Sequence, residues 1–107
     1  MPRFLAIYTG SATTPPDPSV MAKGGQAWGE WMMRNGGQIV DPGGPLGRTK
    51  KVSAAGIEEA RNNMSAYTVV EAVDHDAAAR LFENHPHFAI FPGDGVEVMP
   101  VMPIPTF

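Results

Sequence analysis

The chain has 107 residues, no cysteine, a formal net charge of −3, and 43% hydrophobic against 18% charged residues. A second hydrophobic core would leave each half near the size at which staples are needed, so residues 1–107 read as a single domain. The missing cysteine excludes disulfides, a thiol nucleophile and a thiolate zinc site. Without a Lys/Arg cluster to neutralise phosphates, nucleic acid is not an expected partner. The apolar content argues against disorder, while 12 Gly and 11 Pro promise many turns. The opening segment, Met1 to Tyr8, lacks the apolar run of a signal peptide or a membrane span, which predicts a cytoplasmic protein without membrane contact.

Arg3 to Tyr8 predicts a strand, apolar on both alternating faces and closed by Thr9-Gly10-Ser11. Thr13 to Pro18 predicts a loop, since its three prolines deny the backbone donors of regular structure. Ser19 reads as the cap of a helix reaching about Asn35. Along it Val20, Met21, Gly24, Trp28, Trp31 and Met32 share one face, and Lys23, Gln26, Glu30 and Arg34 lie outside it. Gly24, Gly25 and Gly29 each cost this helix about 1 kcal/mol, so burial of the tryptophans has to hold it. Gly36 and Gly37 end it.

Gln38 to Asp41 predicts a short strand, and Pro42 to Gly47 a turn-forming loop into a second weak strand at Thr49 to Ser53, the two making a hairpin. Ala54 to Asn63 is polar and reads as one helical turn at most. Met64 to Val73 carries the longest strand pattern in the chain and is expected to be central. Asp74 or Asp76 caps a second helix running to about Asn84, with Pro86 ending it. His87 to Phe91 reads as extended, followed by a Pro92-Gly-Asp-Gly95 turn, a strand at Val96 to Val101 and a proline-punctuated tail.

This order predicts an α+β, ferredoxin-like sandwich: an antiparallel sheet with two helices on one face. The other face should be polar if water covered it, yet Leu5 and Ile7 oppose Phe4, Ala6 and Tyr8, and both sides of Met64 to Val73 are largely apolar. A second copy of the chain is the simplest cover, since two-fold association is the commonest oligomer and about 800 Å² per partner makes a standard interface. A loop folded over the sheet is the alternative.

Several segments resemble YCII-related proteins. They are Ala66 to Glu71, Asp74 to Ala79, His85-Pro86-His87 and Val96 to Pro100, with Leu5 to Tyr8, the tryptophan-bearing helix, Gly36-Gly37 and Asp41 to Leu46 in corresponding places upstream. The resemblance implies a dimeric α/β barrel, two ferredoxin-like sheets packed face to face. The Asp-Gly-Pro-Phe signature of one branch of the family is absent; Ala55-Gly56-Ile57-Glu58 stands there. For other members the resemblance implies an acid/base pair of an aspartate with a histidine on the first helix. That helix has no histidine here, and only Asp41 is kept.

Two residues carry the expected acid/base chemistry. His85 falls at the C-terminal end of the second predicted helix, where the dipole favours an imidazolium; the alternative, which position alone favours, is that it merely caps free carbonyls next to Pro86. Asp41 follows a short strand beside a glycine-rich loop and could take a proton, or form an Asx-turn with Pro42-Gly43. Tyr8, Trp28 and Tyr67 are candidates to line a pocket between sheet and helices, or else belong to the core. Glu71 and Glu97 stand among apolar strand neighbours, where burial would raise their proton affinity; Glu71 and His87 join the ligand-binding candidates. His85-Pro86-His87 hints at a metal, but the proline breaks the geometry and no third ligand is near, so no metal and no cofactor is expected. The loop at Gly43 to Thr49 lacks the lysine and spacing of a phosphate loop. The leading functional expectation is therefore a cofactor-free small-molecule enzyme or ligand-binding protein using His85 and Asp41. The alternative is a non-catalytic dimeric module that binds a metabolite or a protein. A cofactor-independent monooxygenase or isomerase follows from fold analogy alone.

Overall fold

The computed structural model describes residues 1–10 and 17–105, so most of the expected Thr13–Pro18 loop and the end of the tail lie outside the described residues. Nine elements follow in order: β1 (Arg3–Thr9), α1 (Pro18–Arg34), β2 (Ile39–Pro45), β3 (Thr49–Ser53), β4 (Gly56–Ala60), β5 (Met64–Glu71), α2 (His75–Arg80), α3 (His87–Ile90) and β6 (Val96–Pro100). The protein is α+β. Its main sheet is antiparallel in the order β2-β5-β1-β6, and β3 with β4 forms a separate two-stranded hairpin.

Alternation along β1 turns Phe4, Ala6 and Tyr8 to one face, in register with Val70, Thr68 and Ala66 of β5. All three helices lie on this face: Trp28 of α1 and His87 of α3 reach Tyr8, and His75 of α2 stacks on Phe4. The core is Phe4, Ala6, Tyr8, Trp31, Val70, Ala72, Ala78 and Phe82. Trp31 is held at both ends, its ring 5.1 Å from Phe82 and its indole N–H donating to the Leu81 carbonyl at 3.0 Å. The tryptophan burial that a glycine-rich helix requires is thus supplied from across the sandwich.

Five sequence expectations are corrected. The strand at Ile39 runs on through Pro45 and pairs with β5, while Thr49–Ser53 makes its hairpin with β4, so the expected hairpin between the two does not form. Asp17, not Ser19, caps α1, its carboxylate accepting from the Ser19 backbone at 2.8 Å. Residues Gly56–Ala60 are a strand: Lys50 and Lys51 face Glu59 and Glu58 across the hairpin, so pairing outweighs the low β-propensity of those residues. The second helix stops at Arg80, and residues 81–84 continue as turns closing on Asn84 at φ +58°. His87 to Ile90 is a helical turn, begun by Pro86, whose fixed φ suits a helix start as well as it ends one.

The opposite sheet face carries Leu5, Ile7, Tyr67, Val69 and the exposed Met99, in register across β1, β5 and β6. The tail from Val101 to Pro105 is exposed throughout. Among the described residues no helix is long and apolar enough to cross a membrane.

Candidate functional site

A cavity of about 590 Å³ opens between α1, the Pro42–Pro45 run of β2, the start of β5, and α3, a size that suits a drug-like ligand. Met21, Gly25, Trp28, Gly29 and Met32 project from α1; Ile90, Phe91 and His87 close the far side; Ser65, Ala66 and Tyr67 form the floor with Gly43 and Gly44. The β2 edge can come this close because of Gly43. Its φ of +67° is unfavourable for any other residue, and a Cβ there would collide with the Tyr67 carbonyl.

The two histidines behind this wall form a directed network. The His87 backbone N–H donates to His85 Nδ1 at 3.0 Å. That nitrogen must therefore be bare, which puts the ring proton on Nε2, 3.5 Å from the Tyr8 hydroxyl. The Thr68 hydroxyl donates to the Pro42 carbonyl at 3.2 Å, so Tyr8 donates to Thr68 at 3.0 Å. Protons point one way along the chain, from His85 through Tyr8 and Thr68 to the backbone of the cavity's β2 edge. Burial pushes the Tyr8 hydroxyl up to about 12, against the opposing bond from Thr68. Burial first, and the neighbouring His87 second, push His85 down to about 4. His85 is thus neutral at pH 7. The helix dipole expected to favour its imidazolium does not reach it, since α2 ends at Arg80.

His87 is 1% exposed. Its Nε2 lies 2.6 Å from the Thr9 carbonyl, an acceptor only, which fixes the proton on Nε2. Nδ1 is left with a lone pair, buried and without a hydrogen-bond partner. A buried acceptor with no donor costs about 1–3 kcal/mol, the kind of debit that clusters at functional sites.

Of the residues singled out from sequence, Trp28, Tyr67 and His87 line the cavity. Tyr8 and His85 stand one layer behind, touching His87 with ring centroids 5.3 Å away for Tyr8 and through the backbone bond for His85. Asp41 and Glu71 are elsewhere: Asp41 pairs in register with Val69 and Glu71 with Arg3. The Asp41 carboxylate accepts from the Gly43 backbone at 2.9 Å and from the Tyr67 hydroxyl at 3.4 Å, the Asx-turn alternative, and no histidine shares it. Glu97 is exposed on the Ile7 side of β6. His75 is exposed, its Nε2 2.7 Å from the Val98 carbonyl. Among the described residues no group of three or more His, Asp or Glu is placed to hold a metal ion.

Sequence reasoning missed Met21, Met32, Phe91 and the bare glycines of α1 as cavity walls, and Thr68 as the link in the network. The glycines had left a signal, since three in one helix interior demand a reason.

No family model matches the chain, and no curated protein matches it. Among solved structures, it is similar to a 5-chloro-2-hydroxyhydroquinone dehydrochlorinase from Burkholderia phenoliruptrix AC1100, in complex with 2,5-dihydroxybenzoquinone. The two share 22% identity over 89% of this chain and 90% of that one, with a TM-score of 0.49.

Proposed function

We propose that this chain is the subunit of a homodimeric, YCII-like small-molecule enzyme that needs no cofactor, and that His87 is its base. The substrate occupies the cavity beside α1. His87 Nδ1, the one buried side-chain acceptor without a partner among the described residues, takes a proton from it. That nitrogen is the observation that carries the reading, because the Thr9 carbonyl holds the ring in the tautomer a base requires. His85 acts as a positioning residue, fixing the backbone from which His87 projects.

The strand order β2-β5-β1-β6 supports a ferredoxin-like sandwich with the β3–β4 hairpin inserted between its second and third sheet strands. The apolar Leu5, Ile7, Val69 and Met99 face supports closure by a second copy into a dimeric barrel. Sedimentation at micromolar concentration should give a mass of two chains; a well-folded monomer would remove the barrel.

Incubating the protein in D₂O with a library of small uncharged carbonyl and hydroxy compounds tests the chemistry. NMR should detect deuterium entering at least one compound with the wild type and none with His87→Asn. The second reading, a non-catalytic dimeric module for a metabolite, is favoured by one observation: Asp41 is engaged by Gly43 and Tyr67 and does not orient a histidine. Binding without exchange or turnover would decide for it.

A further inference from the structure

Resting on the proposed homodimer, we infer that the β3–β4 hairpin is an arm that reaches past its own subunit and packs on the exposed tail, Val101 to Pro105, of the second copy. Every residue from Lys50 to Glu59 is exposed, and β3 and β4 form a sheet of their own. A lone two-stranded hairpin is marginal in water, and its exposed Lys50–Glu59 and Lys51–Glu58 pairs add little. Val52 and Ile57 face each other across the ladder at 74% and 70% exposure, an apolar cross-strand pair left in water. The chain is extended accordingly: its radius of gyration is 15.5 Å, against about 13 Å for a compact chain of this length.

The position of the hairpin limits what it can meet. It springs from the end of the main sheet where β1 finishes and β5 starts, since Thr9 pairs with Met64 and the Leu46 N–H donates to the Ser65 carbonyl. The tail leaves from the opposite end, where Arg3 pairs with Glu71 and its carbonyl accepts from the Val101 N–H at 2.9 Å. Val101, Met102 and Ile104 of that tail are exposed. In a dimer closed through the Leu5 and Ile7 face, the two-fold axis runs either along the strands or across them. Along them, the two hairpins meet at one end. Across them, each hairpin overhangs the partner's opposite end, beside its tail. Five residues per strand give the hairpin a reach of about 17 Å, enough to run the length of a five-residue extended tail.

Charge selects the second arrangement. Residues 48–61 carry four Lys/Arg against two Asp/Glu, a net +2, which leaves four against nine, a net −5, on the rest of the chain. At the tail's end of the sheet stand Glu71, Asp74 and Asp76 with Arg3, and among the described residues no ion pair joins any of them. Two hairpins of like charge side by side repel, whereas a basic hairpin over this acidic end is attracted. The same placement brings Val52 and Ile57 against Val101, Met102 and Ile104, apolar groups that both segments otherwise leave in water.

The chain has no cysteine, so single substitutions report position directly. Val52→Cys and Met102→Cys proteins are mixed, treated with a short bismaleimide and read by peptide mass spectrometry. The mixed link should form and the Val52→Cys self-link should not. Separately, Ile57→Asp should raise the dimer dissociation constant at least about tenfold in sedimentation, with an unchanged circular dichroism spectrum; should it fail to fold, Val52→Ser takes its place. A Val52→Cys self-link, the absence of the mixed link, or an Ile57→Asp dimer as tight as the wild type would overturn the arm and leave the face-to-face dimer standing. A wild-type monomer at micromolar concentration would overturn both, which separates the two ideas.

Discussion

Trp31→Ala is expected to destabilise the protein by about 3–5 kcal/mol, the range for emptying a buried large aromatic site. Trp31 is 3% exposed, stacks near Phe82 and His85, and ties α1 to the turn after α2 through the Leu81 carbonyl. Truncation removes the packing and leaves that carbonyl without its donor, so both contributions act in one direction. The helix has little of its own to fall back on, because Gly24, Gly25 and Gly29 lower its intrinsic stability. In a domain of this size the loss corresponds to a fall in Tm of roughly 12–40 °C. Urea unfolding at pH 7 measures it, and a change below about 1 kcal/mol would show that α1 is not anchored to the core in this way. Trp28→Ala, at the cavity wall, should cost distinctly less.

Acidification gives the second large effect, through His85. Its folded-state value near 4 lies below the ordinary 6.5, so between those pH values the unfolded chain binds a proton that the native state refuses. Stability is then fully present above about pH 6.5 and is lost as pH falls toward 4. The difference of about 2.5 units amounts to about 3 kcal/mol at most. Tyr8, in contact with the ring, is neutral throughout this window, and His87 beside it disfavours the His85 imidazolium. His85→Asn offers an oxygen to the His87 N–H and carries no titrating proton. Its urea midpoint should vary less with pH between 6.5 and 4 than that of the wild type. Parallel curves for the two proteins would mean that other groups govern acid unfolding.

Much of the architecture was legible in the residues. Alternating apolar positions placed β1 and β5, the 3.6-residue spacing of Trp28, Trp31 and Met32 placed α1, and the order of elements implied an antiparallel sheet under helices. The misreadings fell where one residue type serves two purposes. Pro86 can end a helix or begin one, and here it begins α3; Glu58 and Glu59 are poor strand formers alone, and Lys50 and Lys51 lie across from them. Local sequence cannot show a cross-strand partner, and that partner decided the hairpin.

The sequence by itself determined the class of the protein: a small, cysteine-free α+β chain with a tryptophan-bearing helix that has to be buried and strands apolar on both sides. Only the tertiary structure decided how the two buried histidines are partnered. His85 and His87 are two residues apart in the chain and look interchangeable there. In the fold His85 has both nitrogens engaged, while the Nδ1 of His87 is buried and has no hydrogen-bond partner. The difference comes from Tyr8 and Thr9, which lie 77 and 78 positions away in sequence from the histidines they face. Protonation state and tautomer follow from burial and from hydrogen-bond partners, and both are properties of the packed molecule.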